Sequence, residues 1–126
     1  MTILKLDPRS PVPIFQQIMD GLKGLILGGA FDREAFLPSV RALAQELKVN
    51  PNTAARAFRE LEREGWVEVV RGEGYKARKP PVPAVRAYVG EKERRLAEAV
   101  AEMKKAGQSD QDIVGAVRRI LEESHD

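Results

Sequence analysis

The stretch that decides the fold is VNPNTAAR, residues 49–56, which has the composition of a tight turn followed by the start of a helix. Asn50 is a favoured N-cap residue, because its side-chain oxygen can accept a hydrogen bond from an amide of the first turn. Pro51 then occupies the first helical position, where its missing N–H is not needed and its fixed φ suits the helix. No helix breaker follows before Gly65, so the sequence predicts a helix over 51–64.

This predicted helix has an apolar side and a basic side. At about 100° per residue, four apolar residues share one face: Ala54, Ala57, Phe58 and Leu61. Within roughly 60° on the opposite face lie one amide and three guanidinium groups: Asn52, Arg56, Arg59 and Arg63. Arginine can pair with guanine, asparagine can pair with adenine, and both can hold phosphates. An ordinary charged surface helix would show the same pattern, so the helix alone leaves both interpretations open.

A second short helix is predicted directly before it, from the N-cap Ser39 to Leu47. Its apolar residues repeat at helical spacing: Val40, Leu43, Ala44 and Leu47. Only Lys48 and Val49 separate the two helices, which is typical of a helix-turn-helix. Arg41 lies near the start of the short helix, where backbone amides and the helix dipole favour a phosphate.

A β-hairpin is predicted after Gly65. The strands are WVEVVR (66–71) and YKAR (75–78), and the tip between them is GEG (72–74). A hairpin appended to a helix-turn-helix is a wing. Gly72 and Gly74 are explained by turn geometry alone, but bare backbone beside Arg71 can also approach phosphates or a minor groove.

The first 37 residues are expected to supply one more helix. It should run from Pro11 or Val12 to Leu27, because apolar residues repeat at helical spacing and Gly28-Gly29 follows. Phe31, Phe36 and Leu37 are expected to close over the core from the following loop.

The clearest boundary is the proline-rich run 80–83. Two further helices are predicted over 85–106 and 110–123, folded as a helical hairpin at Gly107. Their apolar stripes comprise Val89, Leu96, Val100, Met103, Ile113, Val117, Ile120 and Leu121. About forty residues bury such stripes poorly on their own, so they must pack on the first domain, on a second copy of the chain, or on both. The predicted organisation is a DNA-binding domain at 1–79, a linker at 80–84 and a dimerisation region at 85–126.

Composition excludes several classes of function. The chain of 126 residues has no cysteine and one histidine, His125, so a disulfide, a metal site, a cofactor site or a histidine-based catalytic site is not expected. No nucleophile–base pair or phosphate loop is visible, which argues against an enzyme. The N-terminus MTILK lacks the features of a signal peptide and no apolar run could span a membrane, so a cytoplasmic protein is expected. Residues 38–79 hold nine Lys/Arg against six Asp/Glu, whereas 88–126 hold seven against nine, so only the first part is expected to face a polyanion.

Taken together, four stretches resemble the GntR-type winged helix-turn-helix: LPSVRALA (37–44), VNPNT (49–53), RELEREG (59–65) and RGEG (71–74). The Asn-Pro-Asn-Thr variant and the two helices after the wing are similar to the YtrA subfamily of short GntR regulators. The resemblance covers nearly the whole chain. One departure is Glu34-Ala35, which stands where the family usually has a Gly-Asp pair.

The resemblance implies an α+β, mostly helical fold with three helices and a wing, followed by a two-helix dimerisation hairpin. It also implies a homodimeric transcription regulator, usually a repressor of its own operon, often a transporter operon, that recognises an inverted repeat in double-stranded DNA. Relatives contact DNA at the positions matching Arg41, Asn50, Asn52, Thr53 and the wing-tip glycine. With the helical-wheel and phosphate-contact candidates added, the predicted DNA-binding residues are Ser39, Arg41, Lys48, Asn50, Asn52, Thr53, Arg56, Arg59, Arg71, Gly72 and Gly74.

The alternative is a winged helix that serves as a protein-interaction module. Such a module should show apolar anchors on the outward face of helix 51–64, where this chain has Asn52 and arginines. A small-molecule effector is not identified by the sequence. A two-helix tail is too small to enclose a ligand pocket within one subunit, so an effector is expected between subunits.

Overall fold

The computed structural model describes residues 4–32 and 35–124. Five helices and one two-stranded antiparallel sheet follow one another along these residues: α1 Ile14–Leu27, α2 Val40–Leu47, α3 Pro51–Glu64, β1 Val67–Val70, β2 Gly74–Ala77, α4 Val82–Lys105 and α5 Asp110–Glu123. The predicted fold class, a mostly helical winged helix-turn-helix followed by two helices, is confirmed. The expectations that concerned Met1, Glu34 and His125 lie outside the described residues.

Helices α2 and α3 begin and end where local sequence chemistry places them. Ser39 Oγ accepts a hydrogen bond from the Ala42 amide at 3.0 Å, and Asn50 Oδ1 accepts one from the Asn52 amide at 2.7 Å. Both caps satisfy amides that have no partner within the helix. Gly65 ends α3 with φ 88°, and a Cβ at this position would lie 2.8 Å from Pro81 Cδ. Glycine is therefore required by both conformation and space.

Helix α1 begins at Ile14, later than predicted. Pro13 is its N-cap, and a proline restricts the preceding residue, Val12, to extended conformations. The Gln17 side-chain amide stabilises the segment before α1. Its Nε2 donates hydrogen bonds to the backbone oxygens of Asp7 and Val12, each at 2.9 Å. The helix therefore starts only after the second proline.

Helix α4 begins at Val82, inside the predicted linker 80–84, so the prediction of a helix starting at residue 85 was wrong. The amides of Ala84 and Val85 both donate to the Pro81 oxygen. Pro83 lies in the first turn, where a helix does not use the amide that proline lacks. A run of prolines can thus lead into a helix as well as separate two domains.

The chain forms two compact units, Met1–Tyr88 and Val89–Asp126. The core of the first unit is built from α1, α2, α3 and the sheet, and its largest fully buried side chains are Trp66, Phe58, Ile18, Leu22, Leu43, Leu61 and Val67. Trp66 makes an edge contact with Tyr88, with ring centroids 6.0 Å apart. In the second unit Ile113 alone is buried among the residues that the structure describes.

The wing is tied to the loop before α2. Strands β1 and β2 pair from Val67↔Ala77 to Val70↔Gly74. Strand β1 is shorter than the predicted 66–71, and β2 lies one residue earlier than the predicted 75–78. The Leu37 amide donates to the Tyr75 oxygen at 2.9 Å, which places Leu37 in the core. Phe31 packs against the same core, but Phe36 is 44% exposed, so its predicted burial was wrong. Phe36 is bridged to Lys76 at the sheet edge, and its side chain there stays in contact with solvent.

Candidate nucleic-acid interface

Helix α3 presents a polar face because its opposite face is completely buried. Ala54, Ala57, Phe58 and Leu61 are 0% exposed. Their burial fixes the rotation of the helix about its axis, since turning it would expose these side chains to water. The residues on the other face are all exposed: Asn52, Arg56, Arg59 and Arg63. The helical-wheel prediction of an outward basic face is therefore consistent with the described structure.

The predicted DNA-contacting residues at the start of α3 differ in the exposure and hydrogen bonding of their side chains. The Asn50 side-chain oxygen is occupied as the N-cap, so Asn50 helps to define the helix start. Asn52 is exposed, and Thr53 is half-buried beside the turn. Asn52 is thus the exposed asparagine at this end whose side chain does not cap the helix.

Two further candidates, Ser39 and Arg41, lie at the start of α2. The Ser39 hydroxyl accepts the bond from the Ala42 amide and so has a structural role. Arg41 is exposed in the first turn, where the positive end of the helix dipole adds to its own charge. An anion here would meet both charges.

Lys48, between α2 and α3, has φ 58°, and it is the non-glycine residue with positive φ among those described. This left-handed conformation closes α2, because the Lys48 and Val49 amides donate back to Gln45 and Ala44. The turn therefore projects an exposed ammonium group from a position that commonly holds glycine.

The wing tip combines exposed backbone with positive charge. Gly72 has φ 80°, and a Cβ added there would meet no atom of the described residues within 4 Å beyond its chain neighbours, while Gly74 has φ 121°. Arg71 is exposed beside them. Lys76, further down the hairpin, lies 3.5 Å from Glu68 in an ion pair. The tip is therefore open to an approaching surface, whereas the lysine lower in the wing is partly neutralised.

Arg56 makes a contact that the sequence did not predict. Its guanidinium carbon lies 3.8 Å from the centroid of the Phe15 ring on α1, a cation–π stack between two helices. Stacking occupies the flat face of a guanidinium group and leaves the N–H donors in its plane available. Phe15 therefore restricts the directions in which Arg56 can donate hydrogen bonds.

Arg59 and Arg63 have different surroundings. Arg63 lies 3.2 Å from Glu60 in an ion pair on the same helix, which lowers its availability for another anion. Arg59 lies near the Tyr75 hydroxyl of the wing. Burial raises the pKa of this hydroxyl, Glu62 raises it further, and Arg59 lowers it. The Tyr75 ring also packs on Phe58, with centroids 4.9 Å apart, so the wing and α3 share one packed contact.

The part of the chain that the structure describes contains neither a metal-ligand cluster nor a membrane-spanning helix. Among residues 4–32 and 35–124, no group of three or more His, Asp or Glu is placed to hold a metal ion. None of the described helices is long and apolar enough to cross a membrane.

Similarity to known proteins decides the family. The profile of the bacterial regulatory proteins of the gntR family matches residues 14–76, which is half of the chain and contains α1, α2, α3 and all of the wing except Ala77. The chain belongs to the gntR family. Within that family it is YtrA-like, as the sequence predicted.

Three similar proteins illustrate the relationship. The HTH-type transcriptional repressor YtrA of Bacillus subtilis is 47% identical over 72 residues, which cover 57% of this chain and 55% of the relative. A GntR family transcriptional regulator from Listeria monocytogenes is 30% identical with a TM-score of 0.69, covering 90% of this chain and 98% of its own. YtrA from Sulfolobus acidocaldarius, a GntR-family transcription factor, is 28% identical with a TM-score of 0.57 and coverage of 98% and 100%. In the sequence comparison the chain spans about half the length, or less, of the curated relatives it matches.

The contact between Phe15 and Arg56 can be measured by a double-mutant cycle on the free energy of unfolding. Phe15→Leu removes the ring, and Arg56→Met removes the charge but retains the apolar stem. We expect a coupling free energy of about 0.5–1 kcal/mol, as for cation–π pairs near the surface. Phe15→Tyr should retain the coupling with Arg56. A coupling of zero in chemical denaturation would show that the two side chains do not interact.

Proposed function

We propose that this protein is a sequence-specific regulator of transcription that binds double-stranded DNA as a homodimer and represses its own operon. One observation carries the proposal: α3 holds Asn52, Arg56 and Arg59 outward on the face opposite a completely buried one. The similarity to the Bacillus subtilis repressor YtrA supports it. As in the relatives, which are transcriptional regulators, the function is binding rather than catalysis.

In the proposed complex, α3 enters the major groove. That groove admits one α-helix and displays a distinct donor and acceptor pattern for each base pair. Arg59 and Arg56 supply guanidinium donors suited to guanine, and Asn52 supplies an amide suited to adenine. Arg56 enters this contact already ordered by Phe15, so less side-chain entropy is lost on binding.

Phosphate contacts surround this base-reading face. Arg41 and Lys48 are exposed at opposite ends of α2, and the backbone amides at the start of this helix add to the attraction for an anion. In the proposed complex, the wing tip lies along the DNA phosphate backbone at the minor groove. It consists of Arg71, Gly72 and Gly74. Ser39 and Asn50 contribute by defining the starts of the two helices, and Thr53 by its place in the first turn of α3.

We assign dimerisation to the second unit, because its apolar side chains other than Ile113 are exposed or only half-buried within a single chain. Leu121 is 66% exposed, and the proposed interface comprises Val89, Leu96, Val100, Met103, Val117, Ile120 and Leu121. Ile113 is removed from the predicted interface because it is only 7% exposed within a single chain. Val114, which the sequence analysis did not select, is 53% exposed and joins the proposed interface.

The proposed operator follows from this symmetry. Two copies related by a two-fold axis place two α3 helices in successive major grooves, so the operator is an inverted repeat with half-sites about 10 base pairs apart. The proposed division of labour follows the two units, with residues up to Tyr88 binding DNA and residues from Val89 joining the copies. A repressor of this kind works in the cytoplasm, and a transporter operon is the proposed target.

The DNA-binding proposal is tested with fluorescence anisotropy on the DNA upstream of the gene and on a scrambled duplex, across a salt series. We expect the wild type to prefer the upstream DNA and to retain this preference as salt rises, since base contacts are less sensitive to salt than phosphate contacts. Arg59→Ala should reduce the preference about tenfold, the value of a good base contact.

Arg95→Ala is the matched control, because it removes the same charge from the second unit, and it should leave the preference unchanged. Equal, steeply salt-dependent affinity for both duplexes would contradict sequence-specific binding to this region. Absence of binding to either would favour the alternative function, a protein-interaction module.

The dimer is tested by sedimentation equilibrium at micromolar concentration. Leu121→Lys should shift the chain toward monomer, because it places a charge within the proposed apolar interface. Glu122→Lys introduces the same side chain at the neighbouring exposed position of α5 and should leave the dimer intact. If the two variants behave alike, Leu121 does not lie in the interface.

A further inference from the structure

A cleft of about 850 Å³ lies within the first unit, between the N-terminal segment, the start of α1 and the turn that joins α2 to α3. Its apolar lining consists of Leu4, Leu6, Pro8, Ile14, Leu47 and Val49. This volume falls within the range of about 300–1,000 Å³ that is usual for small-molecule sites. The sequence analysis expected any effector between subunits, whereas this cleft belongs to a single chain.

The charged side chains around the cleft favour an anion. Lys5 and Lys48 line it, together with one carboxylate, Glu46, so the charged residues of the lining carry a net positive charge. Both lysines are exposed, so their ammonium groups can reach the mouth while the apolar side chains form the walls. We propose that this cleft binds a small organic acid, with its apolar body against the leucines and its carboxylate at the two lysines.

The backbone conformation of Lys48 supports a binding role for its side chain. A residue with a Cβ is disfavoured in the left-handed region relative to glycine, yet position 48 holds lysine with φ 58°. A glycine would close α2 with less strain. Lys48→Gly therefore removes the charge from the cleft without placing the fold at risk.

The position of the cleft connects ligand binding to DNA binding, and this step rests on the proposed function. Asn50 and Thr53 line the cleft and also belong to the start of α3, which we assign to the major groove. An acid seated there brings a negative charge next to the phosphates that Lys48 would hold. Ligand and DNA therefore weaken each other's binding, by the same factor in both directions. The acid acts as an inducer that releases the DNA.

The site is tested first without DNA, by two-dimensional NMR of the full-length ¹⁵N-labelled chain titrated with octanoate. Octanoate combines an apolar body with one carboxylate. We expect saturable shifts at the amides of residues 4–7, 46–50, 52 and 53. Acetate lacks the apolar chain of octanoate, and octylammonium lacks its negative charge. Each should bind at least about fivefold more weakly than octanoate, the factor that corresponds to a loss of about 1 kcal/mol.

The matched variants are Lys48→Gly and Lys79→Ala. Lys48→Gly should weaken octanoate binding about two- to fivefold, the range of an exposed ion pair, with an unchanged or higher melting temperature. Lys79 is exposed outside the cleft lining, so Lys79→Ala should leave the affinity unchanged. The absence of saturable shifts, equal binding of octylammonium, or equal effects of the two variants would overturn the site.

The link to DNA has its own measurement. Octanoate at a concentration near its wild-type dissociation constant should lower the affinity of the wild type for its preferred duplex. The effect on Lys48→Gly at the same concentration should be smaller, because this variant binds less octanoate. Saturable octanoate binding with no change in DNA affinity would overturn the inducer role. A wild-type chain that prefers no DNA sequence would instead count against the proposed function, and the NMR titration would still decide the ligand site.

Discussion

The completely buried face of α3 is the constraint on which the rest of the structure depends. Phe58 and Leu61, with two alanines beside them, leave no freedom for the helix to turn about its axis. Burying a side chain such as Phe or Leu contributes about 1.5–3 kcal/mol, so a rotated α3 would lose much of the stability of a small domain. The outward direction of Asn52 and Arg59 is a consequence of this packing.

Neighbouring elements adjust that outward face. The stack of Arg56 on Phe15 orders one guanidinium group, and the pair of Arg63 with Glu60 neutralises another. Tyr75 packs on Phe58 from the wing, next to Arg59. The four polar residues of α3 are thus unequal. Asn52, Arg56 and Arg59 are exposed and, unlike Arg63, have no ion pair within the described helix.

The parts of the fold that could be predicted from the sequence depend on neighbouring residues. Asn50, Pro51 and Gly65 define the bounds of α3 through capping and backbone conformation, and these interactions span only a few positions. The start of α4 was misjudged because Pro83 is compatible both with a linker and with a first helical turn. The same local information allows either outcome, and only packing of the following residues decides between them.

The parts that could not be predicted depend on residues distant in sequence. Phe15 and Arg56 meet only because α1 packs against α3, and periodicity alone does not place one helix on another. The cleft is formed by three separate stretches of chain, so no motif marks it. Ile113 has the same periodic pattern as the exposed residues of its helix, and only the structure shows that it is buried within one chain.

The second unit of a single chain has little hydrophobic core of its own. With Ile113 alone buried among its described residues, this unit has too small a core to be stable by itself. A second copy that covers the exposed leucines and valines would supply the missing core. It would also bring two α3 helices to one DNA duplex, which raises affinity through a high effective concentration.

Base recognition by α3 is tested by selecting binding sites for the protein from a library of random DNA duplexes. We expect enrichment of one short motif in two inverted copies, with centres about 10 base pairs apart. Selection with Asn52→Ala should show a loss of base preference within each copy. Failure to enrich any motif, or a motif unchanged by Asn52→Ala and Arg59→Ala, would contradict base recognition by α3.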